Sequence, residues 1–373
     1  MRNLIPGLAR PALRLLGRDQ QGGVGVLIAM LLGGGVLLGL GALVIDVGQL
    51  YQERAELQNG ADAAALAVAK SCATGTCTPS LAAQYANENA SKLTGGTAGV
   101  NLVCGSGTLG ACPASTGALI DCPPPPSSGL GYVDVHTATQ TSSGGTALPP
   151  VFAKALLGNS SYQGTTVQAC AQAAWGGPSA ADTLAFTISA CSWDSWTSQG
   201  TDFAPAPPAV PAASYDHQLN LGNLGNAAGC SGEASGSDGA GAFGWAKDQT
   251  GSCGIFTNAS TFPAATGASA GSTCQTALTA AQASRETIFV PVYTTYTGTG
   301  NNTVFTLKGF AAFVVTGYHL PGFTASDWLN PSNNCSGSSK CINGYFTKAL
   351  IPANGGANEG GTYLGAAVIG LTG

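Results

Sequence analysis

The hydrophobic pattern divides the chain into two regimes. From Val24 to Ile45 no side chain is charged, and as a helix rising about 1.5 Å per residue this run would span about 33 Å, against the roughly 30 Å apolar core of a bilayer. The run predicts a transmembrane helix over 24–45. Positions 43, 47, 50, 54, 57, 61, 64 and 68 then keep steps of four and three, and all but Arg54 are Leu, Val or Ala. That is one apolar stripe on a helix continuing outward as a stalk over 46–71. The stripe can pack on the chain's own outer domain or on a partner helix, and its small alanines favour the former. Asn59-Gly60 is expected to bend or fray the helix.

Beyond the stalk the period shortens. GYVDVHTATQT (131–141) and TTVQACAQAAW (165–175) alternate apolar and polar residues as half-buried strands do, and LPPVFAKALLG (148–158) has a Pro start and a Gly stop around a short helical pattern. The stretches 183–193, 286–298, 302–320 and 362–371 are β-branched or aromatic runs bounded by Gly, Asn or Pro. Strands outnumber helices, so the expected fold is α+β, with a sheet-centred outer domain over 72–373. Within it, 201–278 is rich in Gly, Ala, Ser and Pro and poor in large apolar residues, which predicts a loop-rich insertion stapled by disulfides.

Charge orients the chain. Arg2, Arg10, Arg14 and Arg18 precede the apolar run with Asp19 as the one acid; after it Arg54 stands among Asp46, Glu53, Glu56 and Asp62. The positive-inside rule places residues 1–23 in the cytoplasm and the C-terminal domain outside the cell membrane. The run is longer than the apolar region of about 7–15 residues in a cleaved signal peptide. Asp46, at its outer end, reads as a membrane-boundary residue. Gly35 and Gly39, like Gly25, Ala29 and Gly33, are spaced to let two membrane helices approach closely. Net charge is -5 and no basic run follows the N-terminus, so the chain lacks the phosphate-neutralising patch of a nucleic-acid binder.

All 12 cysteines, from Cys72 to Cys341, follow the apolar run, and an outward topology gives them an oxidising compartment in which to pair. Cys72 with Cys77, and Cys335 with Cys341, are close enough in sequence to close small loops. No C-x-x-C occurs and His136, His217 and His319 are far apart, so neither a metal nor another cofactor is expected.

Catalytic motifs are weak. Gly267 to Gly271 matches G-x-S-x-G around Ser269, but in a low-complexity stretch with no strand before it. Gly105 to Gly110 and Gly239 to Gly244 match G-x-G-x-x-G without the strand and helix a dinucleotide site needs. His319 ends an apolar strand pattern, and Asp134 or Asp327 would have to orient it as a base. The chain is therefore read as non-enzymatic.

The run from Arg18 to Ala69 holds a basic-acidic start, a glycine-containing apolar stretch, Asp46-Val47-Gly48, Tyr51, and Leu57-Gln58-Asn59-Gly60 followed by Ala-Asp-Ala-Ala-Ala. In that order it resembles the N-terminal segment of TadG-like proteins of Flp (tight-adherence) pilus assembly. TTVQACAQAAW and GFAAFVVTGYHL resemble the outer portion of short TadG-like proteins from high-GC Gram-positive bacteria. The resemblance implies a single-pass, membrane-anchored component of pilus assembly or surface adherence that touches pilus or pilus-assembly proteins. Larger relatives carry a von Willebrand A-type domain with a D-x-S-x-S metal loop; Asp194-Ser195-Trp196 departs from it at the third position. A minor pilin is an alternative, but a cut after Gly23 would put Ile28 where pilins have Glu. A membrane-tethered or secreted hydrolase is the other.

Overall fold

The structure is a computed structural model. It describes residues 20 to 372 except 35, 91–96, 115–121, 127–129, 143, 149, 151, 153–162, 222–242, 259, 266–270, 299–301, 334, 336, 338–339 and 353–358. The short helix expected within 148–158 thus lies mostly outside the described residues.

The apolar N-terminal run forms two helices where one was expected over 24–45. Helix α1 (Gln20–Gly33) ends and helix α2 (Val36–Thr74) begins on either side of a glycine triplet, where three residues without side chains lower helix propensity together. Among the described residues no helix is long and apolar enough to cross a membrane. The reason is visible in the sequence of each: α1 has 14 residues, and α2 turns polar from Asp46 onward.

Asn59-Gly60 does not break α2, which is continuous through it. Gly60 is buried, and a Cβ there would lie 2.9 Å from the carbonyl oxygen of Ala86 in helix α3 (Leu81–Asn89). The glycine serves the contact between two backbones, which explains why it sits in a helix that its intrinsic propensity disfavours.

The strands are β1 (Thr97–Gly105), β2 (Gly131–Gln140), β3 (Gln168–Pro178), β4 (Ala181–Leu184), β5 (Phe186–Ser189), β6 (His217–Asn220), β7 (Phe243–Trp245) and β8 (Gly254–Thr257). They continue with β9 (Thr261–Pro263), β10 (Ile288–Thr297), β11 (Val304–Leu320), β12 (Phe323–Ala325), β13 (Cys341–Thr347), β14 (Ala349–Leu350), β15 (Glu359–Leu364) and β16 (Ala366–Leu371). Fourteen of them join one mixed sheet with the main order β1-β2-β3-β15-β11-β10-β5-β7, while β4 and β8 pair separately. The long β11 is its spine: it pairs with β10, β13, β12 and β9 antiparallel and β15 parallel. Its residues from Gly309 to Tyr318 are all buried, as expected of a strand covered on both faces.

The mixed α+β architecture holds, and within the 201–278 stretch the described residues include short strands between loops. The stretch supplies β6, β7, β8, β9 and the start of the helix Ser272–Ser284. These strands are three or four residues long and borrow their hydrogen bonds from β13, β5, β4 and β11, partners distant in sequence and hence invisible to a local composition count.

Two small apolar clusters, around Phe310 and around Val314, accompany two large ones. One large cluster, around β5, β10, β11 and β13, holds Phe186, Ile188, Tyr293, Phe305, Phe313, Ile342 and Phe346. The other lies between α2, α3 and one face of β2 and β3. Disulfides join Cys72 to Cys77, Cys104 to Cys112, Cys122 to Cys170, Cys253 to Cys274 and Cys335 to Cys341. Cys191 is also disulfide-bonded, and no described cysteine is free.

Candidate functional site

The apolar stripe of α2 has two different fates along one helix. Its C-terminal half is a seat: Leu57, Ala61, Ala64, Ala65, Val68 and Ala69 are buried against Val133, Val135, Ala169, Ala171 and Ala173 of β2 and β3. Small residues on both sides let helix and sheet come close enough for direct polar stitches. Thr137 Oγ1 donates to the Leu57 carbonyl at 3.0 Å, Gln58 Nε2 to the Cys170 carbonyl at 3.0 Å, and the Tyr363 hydroxyl to the Ala73 carbonyl at 2.7 Å.

The N-terminal half is an arm that leaves the domain. Val24, Val26, Leu27, Ile28, Met30 and Leu32 of α1 and Val36, Leu40, Leu43, Val44, Ile45, Val47 and Tyr51 of α2 are exposed, Val44 at 71% and Tyr51 at 73%. Scattered exposed apolar side chains are ordinary; a contiguous series of this length marks a surface that meets lipid or protein.

Acids mark the passage from arm to seat. Asp46, on the partly exposed side, accepts from the Phe152 backbone N–H at 3.2 Å on both carboxylate oxygens. About two and three turns on, Glu53 and Glu56 are buried. Burial pushes the Glu53 carboxyl above its ordinary value, opposed by a hydrogen bond from Thr139 and reinforced by the neighbouring Glu56. Glu56 accepts from Gln52 Nε2 at 3.1 Å through Oε1, while its Oε2 has no hydrogen-bond partner.

Residues 23–71 match the family described as Putative Flp pilus-assembly TadE/G-like. No curated protein and no solved structure matches the chain. The TadE/G-like segment thus comprises the arm and nearly all of the seat, and stops short of every strand of the sheet. Of the two glycines expected to bring membrane helices together, Gly35 lies outside the described residues and Gly39 is partly exposed on α2 within this segment.

Away from the TadE/G-like segment, the catalytic candidates among the described residues do not line one pocket. Ser269 and residues 239–242 lie outside the described residues. Gly105 to Gly110 forms a turn held by Gly105 N–H to the Gly110 carbonyl at 2.7 Å and closed by Cys104–Cys112. His319 stands opposite Cys341 on β13 and lines an open cavity of about 510 Å³ with Lys340, Phe323 and Thr324; neither Asp134 nor Asp327 lines it. Asp194 pairs with Lys308 Nζ at 2.9 Å.

Tertiary structure brings together groups that sequence reading kept apart. Asp216 and Asp327 are buried and meet through Thr316 Oγ1, 2.6 Å from Asp216 Oδ1 and 3.2 Å from Asp327 Oδ2. Asn333 Nδ2 donates to Asp216 Oδ2, Asn343 Nδ2 to Asp327 Oδ2, and the Leu329 and Asn330 N–H groups to Asp327 Oδ1. Burial, and then the shared contact with Asp327, push Asp216 up to about 7. A hydroxyl carries a single proton, so Thr316 cannot donate to both carboxylates at once, and the proton that the raised Asp216 carboxyl retains lets the two acids share this site. Beside it His217 stacks on Trp196 with centroids 4.9 Å apart, and burial pushes its imidazole down to about 4.

The outer face of β2 carries a second such group. Asp134 lies opposite Cys104 of β1 and Gln172 of β3, and His136 opposite Cys170. Burial raises the Asp134 carboxyl, against a hydrogen bond from Gln172 and the charge of His136. Atoms of Cys122, His136 and Cys170 lie within 4.8 Å of one another, as do those of Cys104, Cys112 and Asp134. All four cysteines are in disulfides, and thiolate is the form that binds metal. The i, i+2 spacing of Asp134 and His136 was the only sequence sign of this row; the loop cysteines that join it come from outside the strand.

Proposed function

We propose that the chain is a single-pass, membrane-anchored component of Flp pilus assembly or surface adherence that works by protein contact and not by catalysis. The observation that carries this reading is the TadE/G-like match falling on an arm with an exposed apolar surface. Together α1 and the first turns of α2 carry 24–33 and 36–45 of the uncharged run, and Arg2, Arg10, Arg14 and Arg18 lie on its N-terminal side. In this reading residues 1–23 are cytoplasmic, 24–45 lie in the membrane, 46–71 connect, and 72–373 form the outer domain. The seat fixes the outer domain close to the membrane surface, because α2 joins arm to sheet with no linker between them.

Membrane fractions from cells making the full chain, tagged at both termini, test the proposal. The chain should stay with the membrane through alkaline carbonate, and protease added to spheroplasts should remove the C-terminal tag and spare the N-terminal one. Release by carbonate, or loss of the N-terminal tag from outside, would defeat the anchoring. A photo-cross-linker at Tyr51 should capture pilus or pilus-assembly subunits; capture of lipid alone would defeat the contact role.

A further inference from the structure

Among the disulfides described at both ends, most bury at least one sulfur-bearing residue. Cys104, Cys253, Cys274 and Cys341 are buried. Two pairs, Cys72–Cys77 and Cys122–Cys170, have both residues partly exposed. Exchange with an external thiol needs access to a sulfur and a stabilised leaving thiolate. An imidazole supplies the second requirement at one of these two pairs: His136 Nε2 lies 3.8 Å from Cys122 Sγ. His319 stands opposite Cys341, but that cysteine is fully buried.

We propose that Cys122–Cys170 is a thiol–disulfide exchange site, with Cys122 as the leaving and afterwards reactive sulfur, His136 as its charge partner, and a dithiol as co-reactant. The cavity of about 180 Å³ lined by Cys122, Tyr132, Asp134 and His136 borders the leaving sulfur, and Cys170, partly exposed, is the sulfur open to attack. The groups facing the imidazole are Asp134 and Tyr132 from its own strand, Cys170 and Gln172 from β3, and Cys122 and Pro123 from the loop. Among the described residues Asp134 is the acid in this group.

The electron count closes. A thiolate of the dithiol, its proton passed to His136, attacks Cys170 Sγ, forming a mixed disulfide and breaking the bond to Cys122 Sγ, which leaves with the electron pair beside the His136 ring. The second thiol displaces Cys170, giving up its proton to it and closing the co-reactant's own disulfide. The protein gains two electrons and the dithiol loses two; its protons rest on His136 and Cys170.

The full chain in mild detergent is treated with limiting dithiothreitol at pH 6.5, quenched in acid, alkylated and peptide-mapped, with Cys72–Cys77 as internal reference. Cys122 and Cys170 should open at least about tenfold faster than the reference, and His136→Asn should remove that advantage while leaving the circular dichroism unchanged. In the unsubstituted chain, partial reduction followed by iodoacetamide at pH 6 should label Cys122 ahead of Cys170, a readout that does not depend on the variant folding. The proposal is overturned if Cys72–Cys77 opens first, if His136→Asn keeps the wild-type ratio, or if Cys170 is labelled ahead of Cys122.

Discussion

Asp216 and His217 are adjacent in sequence and oppose each other in their effect on stability. Asp216 is raised from 3.8 to about 7. Its contribution is therefore fully present below pH 3.8 and is lost as pH rises toward 7, because the folded state keeps a proton the unfolded chain has released. His217 is lowered from 6.5 to about 4. Its neutral form is favoured on folding, so its contribution is present above pH 6.5 and is lost as pH falls toward 4. The shifts correspond to roughly 4 kcal/mol for Asp216 and roughly 3 kcal/mol for His217, and the two slopes have opposite sign over the shared window. Between pH 4 and 6.5 the pair should nearly cancel. Asp216→Asn removes the falling slope and should make the chain gain stability with pH over that window, relative to wild type, by roughly 3 kcal/mol. His217→Asn should do the reverse. The assay is the guanidinium midpoint of each protein at half-unit steps from pH 4 to 7.5, read as variant minus wild type so that other titrating groups cancel. If Asp216→Asn and His217→Asn shift the slope in the same direction, or neither changes it, the buried-pair reasoning fails.

Four other substitutions probe separate links. Gly60→Val places a Cβ 2.9 Å from the Ala86 carbonyl oxygen and should destabilise by about 1–3 kcal/mol through overpacking, seen as a lower denaturation midpoint; an unchanged midpoint would show that α2 and α3 are not in close contact. Leu57→Ala at the fully buried start of the seat should cost about 2–5 kcal/mol, whereas Leu40→Lys on the exposed arm should leave the midpoint alone and raise the free-energy cost of membrane insertion by about 3 kcal/mol, read as chain recovered in the soluble fraction. Asp248→Ala removes the acceptor for the backbone N–H groups of Thr250, Gly251, Cys253 and Gly254 and should open the 248–254 turn to limited proteolysis. In the unsubstituted chain those bonds hold the Asp248 carboxyl down to about 2, so that turn should resist acid until pH falls through that value.

Several elements were legible in the residues themselves. The alternation of GYVDVHTATQT corresponds to β2 and that of TTVQACAQAAW to β3 with its preceding bridge, since a period of two is a property of the strand itself. The stripe through Leu57, Ala61, Ala64 and Val68 names the face of α2 that is seated, for the same reason at a period of 3.6. The glycine triplet was read as part of an apolar run because hydropathy does not register backbone freedom; the helices end there all the same. Gly60 was read as a weak point because its value lies in another helix's backbone, which no local window contains.

The sequence by itself determined the uncharged run and its charge asymmetry, the TadE/G-like order of motifs, the α+β character and the stock of cysteines, all of which are sums or periods along the chain. Only the tertiary structure decided that half of the stripe is covered and half is bare, that Asp216 meets Asp327 through Thr316, and that His136 stands against Cys122. Those are contacts between residues far apart in sequence, and their chemistry depends on distance and burial, which the chain acquires when the sheet brings its strands together.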